Sequence, residues 1–147
     1  MPCTLTDTQS QKMLPNYYTR IIFVERPKTD ITPTTFRKET VAFDLKPGPG
    51  EVLVRVDWVS LDPAMRGWMK EVASYVAPVE IGAVMRSFGV GTIVEAGEGC
   101  ELRAGDIVSG MTGERPPGVA VLSLLYPRTG WTEYAVMKEG AVFQKIM

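Results

Sequence analysis

Chemistry at neutral pH needs nucleophiles, bases or metal ligands at workable spacing, and this chain supplies few. None of its 147 residues is histidine. That removes the usual serine and cysteine triads and every His-ligated zinc site, and it leaves a perturbed carboxylate, lysine or cysteine as the only near-neutral base. The two cysteines, Cys3 and Cys100, are distant in sequence and one sits in a polar leader, so no disulfide framework is expected. Three stretches remain as candidates. Gly89-Val90-Gly91 has the paired glycines that let backbone amides approach a pyrophosphate at a helix start. It lacks the third glycine, however, and runs on into TIVEAG, a strand pattern, so close packing of strands in a barrel is the better reading. Asp62 could serve as a general acid, but an aspartate directly before a proline is the mark of a helix cap. Trp58, Trp68 and Trp131 could line an aromatic cage, yet Trp58 alternates with valines and is expected in the core.

The elements that must position these groups are short and separated by turns. Fourteen Gly and eleven Pro, spread between runs of Val and Ile, predict a mainly β domain with short helices. Residues 1–16 are polar and aperiodic and are expected to stay disordered. Tyr17 to Pro27 and Glu39 to Leu45 read as two strands around the turn TDITPTTF. After the turn KPGPG, the run EVLVRVDWVS alternates, with Val52, Val54, Val56 and Trp58 on one face and Leu53, Arg55 and Asp57 on the other. LDPAMRGWMK then places Asp62 as cap and Pro63 at the first helical position of a single turn that ends near Gly67. Phe88 to Gly97 and Gly105 to Gly110 give two further strands, and WTEYAVM a last one.

Net charge is −1 with the signs mixed along the chain, so no basic stripe is available to a phosphate backbone and nucleic acid is excluded as a partner. The N-terminus shows no signal-peptide pattern, and the longest apolar run, Val119 to Tyr126, is far short of a membrane span. A soluble, cytoplasmic protein without a membrane partner is expected.

The order of the pieces EVLVRVDWVSLDPAMRGWM, SYVAPVEIGAVMRSFGVGTIVEAG, LRAGDIVSG and WTEYAVM resembles the N-terminal, GroES-like domain of zinc-independent medium-chain dehydrogenase/reductases. Within that superfamily it is similar to the alkenal, curcumin and prostaglandin double-bond reductases. The resemblance spans about Arg20 to Lys145, and it implies a distorted β-barrel over residues 17–147. Zinc-dependent relatives carry a Cys motif where this chain has Leu61 to Gly67 and a Gly-His-Glu motif where it has Met85 to Phe88, so the resemblance implies a zinc-independent enzyme. It further implies, for a full-length relative, NADP(H) as cofactor, reduction of the C=C bond of a small enal or enone, and carbonyl polarisation by hydrogen-bond donors in place of a metal. Pairing of full-length chains as a homodimer is left open. By the same resemblance Asp62 and Pro63 wall the nicotinamide side of the cleft. Ala64 and Phe88 stand where relatives often have tyrosine and widen the substrate mouth, with Met65 and Tyr75 as further wall residues. No catalytic residue is assigned within the chain.

Two departures from the family pattern bear on function. Between Thr112-Gly113 and Trp131 the family continues directly, whereas this chain carries the 17 residues Glu114 to Gly130 and a second Thr-Gly at 129–130. Codons for Gly113-Glu114 and Thr129-Gly130 can contain splice signals, so a retained intron is expected, with a natural hairpin insertion as the alternative. The family also continues past this chain's last residue, Met147, into the Rossmann domain that holds the dinucleotide. No NADP(H) is therefore expected to bind tightly to this chain alone, which is expected to be inactive by itself. The alternative is a stand-alone, non-catalytic GroES-like binding module.

Overall fold

Aromatic and β-branched residues drive the first pairing. The computed structural model describes residues 13–72, 77–112 and 130–146. The expected leader overlaps it only at 13–16, and both the 114–129 stretch and Tyr75 lie outside the described residues. Strand β1 (Tyr17–Phe23) runs antiparallel to β2 (Phe36–Ala42), with Phe23 opposite Phe36 and Tyr17 opposite Ala42. The second strand begins three residues before its expected start. Pro33–Thr35 forms a 3-10 turn in which the Thr32 N–H donates to the buried Thr35 hydroxyl at 3.1 Å and the Val24 N–H to the Thr35 carbonyl at 2.9 Å. That closed turn delivers Phe36 straight into register with Phe23.

The remaining strands form one antiparallel sheet: β3 (Glu51–Val59), β4 (Ser87–Ala96), β5 (Ile107–Thr112), β6 (Tyr134–Lys138) and β7 (Val142–Ile146), in the order β6-β3-β4-β5-β7. Strands β6 and β7 lie at opposite edges, yet only Glu139–Ala141 joins them. Four strand spacings in a flat sheet amount to about 19 Å, and the link from Lys138 to Val142 reaches at most about 14 Å fully extended. The sheet must therefore curl on itself. A Cβ built on Gly110 of β5 would meet Met137 Cε of β6 at 2.9 Å and the Ala141 carbonyl at 3.6 Å. Val52, Val54, Ile93, Val108, Ala135 and Met137 fill the inside of the curl. The mainly β architecture expected from composition and resemblance is what the chain adopts.

Two local readings of the sequence separate here. Gly91 faces Val56 across the β3–β4 ladder, and a Cβ there would collide with the Arg55 carbonyl and Val54. Gly91 thus serves close strand packing, and both glycines lie within β4 and not at a helix start. The alternation along β3, by contrast, breaks. Val52, Leu53 and Val54 are all buried, whereas Trp58 is 75% exposed. The ladder shifts register between Val56 and Trp58, where Gly91 and Val90 are consecutive partners. One extra residue on β3 reverses the sidedness beyond it, which corrects the expectation of a core Trp58.

Candidate active-site wall and groove

The candidate site grows from the end of β3. After Val59, the Ser60 N–H donates to the Phe88 carbonyl at 2.7 Å, which ties the chain leaving β3 to the start of β4. The backbone then turns at Asp62. Its Oδ1 accepts the Ala64 N–H at 2.7 Å, and its carbonyl accepts the Met65 N–H at 3.0 Å. Pro63 already has helical angles, φ −54° and ψ −29°, and helix α1 (Ala64–Trp68) follows. The aspartate satisfies the Ala64 N–H, but the N-cap position falls on Pro63 and the first helical residue is Ala64, each one residue later than expected.

Five of the six assigned residues are described, and the Ser60–Phe88 bond ties the chain leading to Asp62, Pro63 and Ala64 to the start of the strand that carries Phe88. Asp62 and Pro63 are exposed, Ala64 is half-buried, and Phe88 is 38% exposed with its ring 6.4 Å from that of Trp68. Met65 is a correction: it is 5% exposed and packs in a second core with Phe23, Trp68, Met69, Val79 and Met85. Helical periodicity turns it inward beneath the turn, where its Sδ accepts the Asp62 N–H at 3.4 Å. It supports the wall from behind. Tyr75 lies outside the described residues.

Two arginines that sequence reasoning missed hold the neighbouring backbone. Arg26 donates to the carbonyls of Met69 (2.9 Å), Lys70 (3.3 Å) and Val79 (3.1 Å). Arg86, buried at 4% exposure, donates to the Ala77 carbonyl at 3.0 Å and lies 5.7 Å over the Trp68 ring. Together they fasten both flanks of residues 70–77 against α1. The only sequence signals were an arginine in ERP, just past an apolar strand, and one in MRSFGVG, and neither spacing announces a carbonyl clamp.

On the other side of Leu61 the surface opens into a groove of about 520 Å³. Val56, Trp58 and Val59 line it from β3, Leu61 from the turn that follows, Ile21 from β1 and Trp131 from the approach to β6, together with Lys38, Asp57 and Glu133. The Asp57 carboxylate is engaged by Arg55 Nε at 2.8 Å and by the Thr92 hydroxyl at 2.7 Å. Its hydrogen bond holds the Arg55 guanidinium above its ordinary value. Among the described residues no group of three His, Cys, Asp or Glu could hold a metal ion, and no helix is long and apolar enough to cross a membrane. The groove is lined mainly by apolar side chains. A nucleophile with its base is not part of it.

Comparison with known proteins identifies the family. Residues 19–122 match the family described as "N-terminal domain of oxidoreductase". The chain is 41% identical over 96 residues to the NADPH-dependent curcumin reductase of Escherichia coli (strain K12), covering 64% of this chain and 27% of that protein. It is 30% identical over 108 residues to the NADP(+)-dependent 2-alkenal reductase of Nicotiana tabacum, covering 73% of this chain and 26% of that one. Among solved structures, CurA from Vibrio vulnificus superposes with a TM-score of 0.66 at 28% identity, over 88% of this chain and 31% of CurA. CurA has also been solved in complex with NADPH, and that form matches with a TM-score of 0.62. The chain therefore spans about a quarter to a third of the length of these relatives.

Proposed function

The chain belongs to the family of oxidoreductase N-terminal domains, and on that premise we propose that it forms the substrate-side part of an NADP(H)-dependent reductase acting on the C=C bond of α,β-unsaturated aldehydes or ketones. The observation that carries the reading is the capped Asp62-Pro63 turn, fixed beside Phe88 by the Ser60–Phe88 bond, in a chain whose relatives are named curcumin and 2-alkenal reductases. NADPH, when bound, supplies hydride to the β-carbon.

The residues present fit one wall of a nicotinamide site. They do not fit a complete one. Gly89–Gly91 lies inside a strand, with the space at Gly91 taken by β3, and so does not form the helix-start loop that cradles a pyrophosphate. Asp62 and Pro63 instead present a stiff surface whose backbone is already committed to its own cap, which suits positioning. Ala64 and Phe88 carry no hydroxyl, so they shape the mouth by volume and leave the carbonyl oxygen to donors elsewhere in the assembled enzyme. A wide, apolar mouth suits bulky conjugated enones better than short alkenals.

The test is replacement of the matching N-terminal part of the E. coli curcumin reductase by this chain. NADPH oxidation with an enone is expected from the chimera and none from the 147-residue chain alone. A chimera that folds and binds NADPH but reduces no enone would refute the proposal. In the active chimera, Ala64→Tyr together with Phe88→Tyr should lower kcat/KM for a bulky enone roughly tenfold relative to a small 2-alkenal, the order expected for a pocket losing a few carbon-sized volumes. Equal loss for both substrates would remove these residues from the mouth.

A further inference from the structure

The groove beyond Leu61 stands apart from the proposed reduction, because Asp62, Pro63, Ala64 and Phe88 take no part in lining it. At about 520 Å³ it has the size of a small-molecule site. Two indoles join its aliphatic side chains. Trp131 is fixed there: its ring lies 5.0 Å from that of Phe36, its backbone N–H donates to the Met85 carbonyl at 2.8 Å, and its carbonyl accepts the Ile21 N–H at 2.7 Å. Trp58 is exposed and, among the described residues, has no ring partner.

Three charged residues line the groove, and two are committed within the chain. Asp57 accepts from Arg55 and Thr92, as described above, and Glu133 Oε2 accepts the Thr19 N–H at 2.7 Å. Lys38 is the third. It stands opposite Ile21 in the β1–β2 ladder, which puts both side chains on the groove's face. Its neighbour Glu39 alternates to the other face, where Arg20 holds it at 2.7 Å. Among the described residues no carboxylate pairs with Lys38.

We propose that this groove binds a planar aromatic carboxylate, its rings laid on Trp58 and its carboxylate paired with the Lys38 ammonium. The rings cover the indole that has none against it, and aromatic pairs attract beyond the area they bury. Charge selects the rest of the ligand. A carboxylate completes the ion pair that the groove leaves open, a neutral ring does not, and a cation is repelled by Lys38. Glu133 is the group a bound anion must avoid, so the carboxylate is directed to the Lys38 side. An exposed ion pair changes affinity by at most about fivefold, so contact with Trp58 carries most of the binding. A two-ring acid of about a dozen heavy atoms at ordinary efficiency then binds with a Kd of about 1 mM.

Titration of the 147-residue chain with 2-naphthoate and, separately, with uncharged 2-naphthamide tests this, followed by the indole N–H signals of the nitrogen-15-labelled protein. Both should move the Trp58 signal, with 2-naphthoate binding roughly two- to fivefold more tightly at low salt and losing that margin at high salt. Lys38→Gln should erase the difference and leave 2-naphthamide unchanged, while Trp58→Ser should weaken both ligands. Each substitution is at an exposed position, so the melting midpoint should stay within about 3 °C. The comparison of acid with amide on the unmodified chain stands whatever the variants do. No shift at Trp58 up to about 10 mM 2-naphthoate, equal affinity for acid and amide, or a margin that survives Lys38→Gln would overturn the proposal. Neither NADPH nor an enone is present, so the outcome is independent of the reductase reading.

Discussion

Three residues show how far side-chain type alone carries. Gly91 can be read from sequence because a glycine inside a β pattern signals close backbone approach, and the Arg55 carbonyl fills the space a side chain would need. Gly91→Ala should therefore destabilise the chain by about 1–3 kcal/mol, the usual cost of overpacking, measured as a drop in urea midpoint at unchanged slope. Asp62 is legible for the same kind of reason: a carboxylate before proline satisfies a helix-start N–H, here that of Ala64. Asp62→Ala should cost about 1 kcal/mol and Asp62→Asn much less, since the amide oxygen still accepts. If both cost the same, the cap is not what stabilises the turn. Trp58 is the residue that could not be read, because alternation assumes an uninterrupted ladder and the break between Val56 and Trp58 leaves no mark in residue types. A second shift, between Leu53 and Val54, breaks the alternation earlier in the strand, where Val52, Leu53 and Val54 are all buried.

At the scale of elements, each strand announced by β-branched residues forms, and the short helix forms one residue later than Asp-Pro placed it. Their boundaries depend on tertiary partners. β2 starts at Phe36 because Phe23 awaits it and the Pro33–Thr35 turn closes early, neither of which a window around Glu39 contains. Met65 was assigned to the wall from its neighbours in sequence, but a helix of five residues must still turn one side to the core, and Met65 is on that side. The segment after α1 depends on Arg26, whose guanidinium meets three carbonyls between Met69 and Val79. Arg26→Met keeps the apolar stem and loses the donors, and bonds from a charged donor contribute about 1.5–3 kcal/mol in total where partly buried. A loss of about 2 kcal/mol in unfolding free energy is expected, with faster hydrogen exchange at the Val79 amide, which donates to Trp68 across the same junction. Unchanged exchange there would mean the clamp is decorative.

For the whole molecule, the chain presents a face that its own described residues leave open. Trp58 at 75% and Leu61 at 77% exposure stand beside Val59 along the groove that Ile21 and Trp131 floor. Large apolar side chains gathered at one place on a surface promote association, whereas the same residues scattered singly would not. Their exposure also means that they contribute little to folding, because surface substitutions away from caps and cores change stability by only about 0.5 kcal/mol. Trp58→Ser combined with Leu61→Ser should therefore raise the concentration at which the chain remains monodisperse while moving the melting midpoint by no more than about 3 °C. Light scattering across a concentration series, with thermal unfolding on the same samples, separates the two effects. A large fall in midpoint would mean that these side chains are packed in solution against something the exposed groove does not reveal. An unchanged association threshold would locate the adhesive surface elsewhere, with the exposed Ile81 and Val72 as the next apolar positions to substitute.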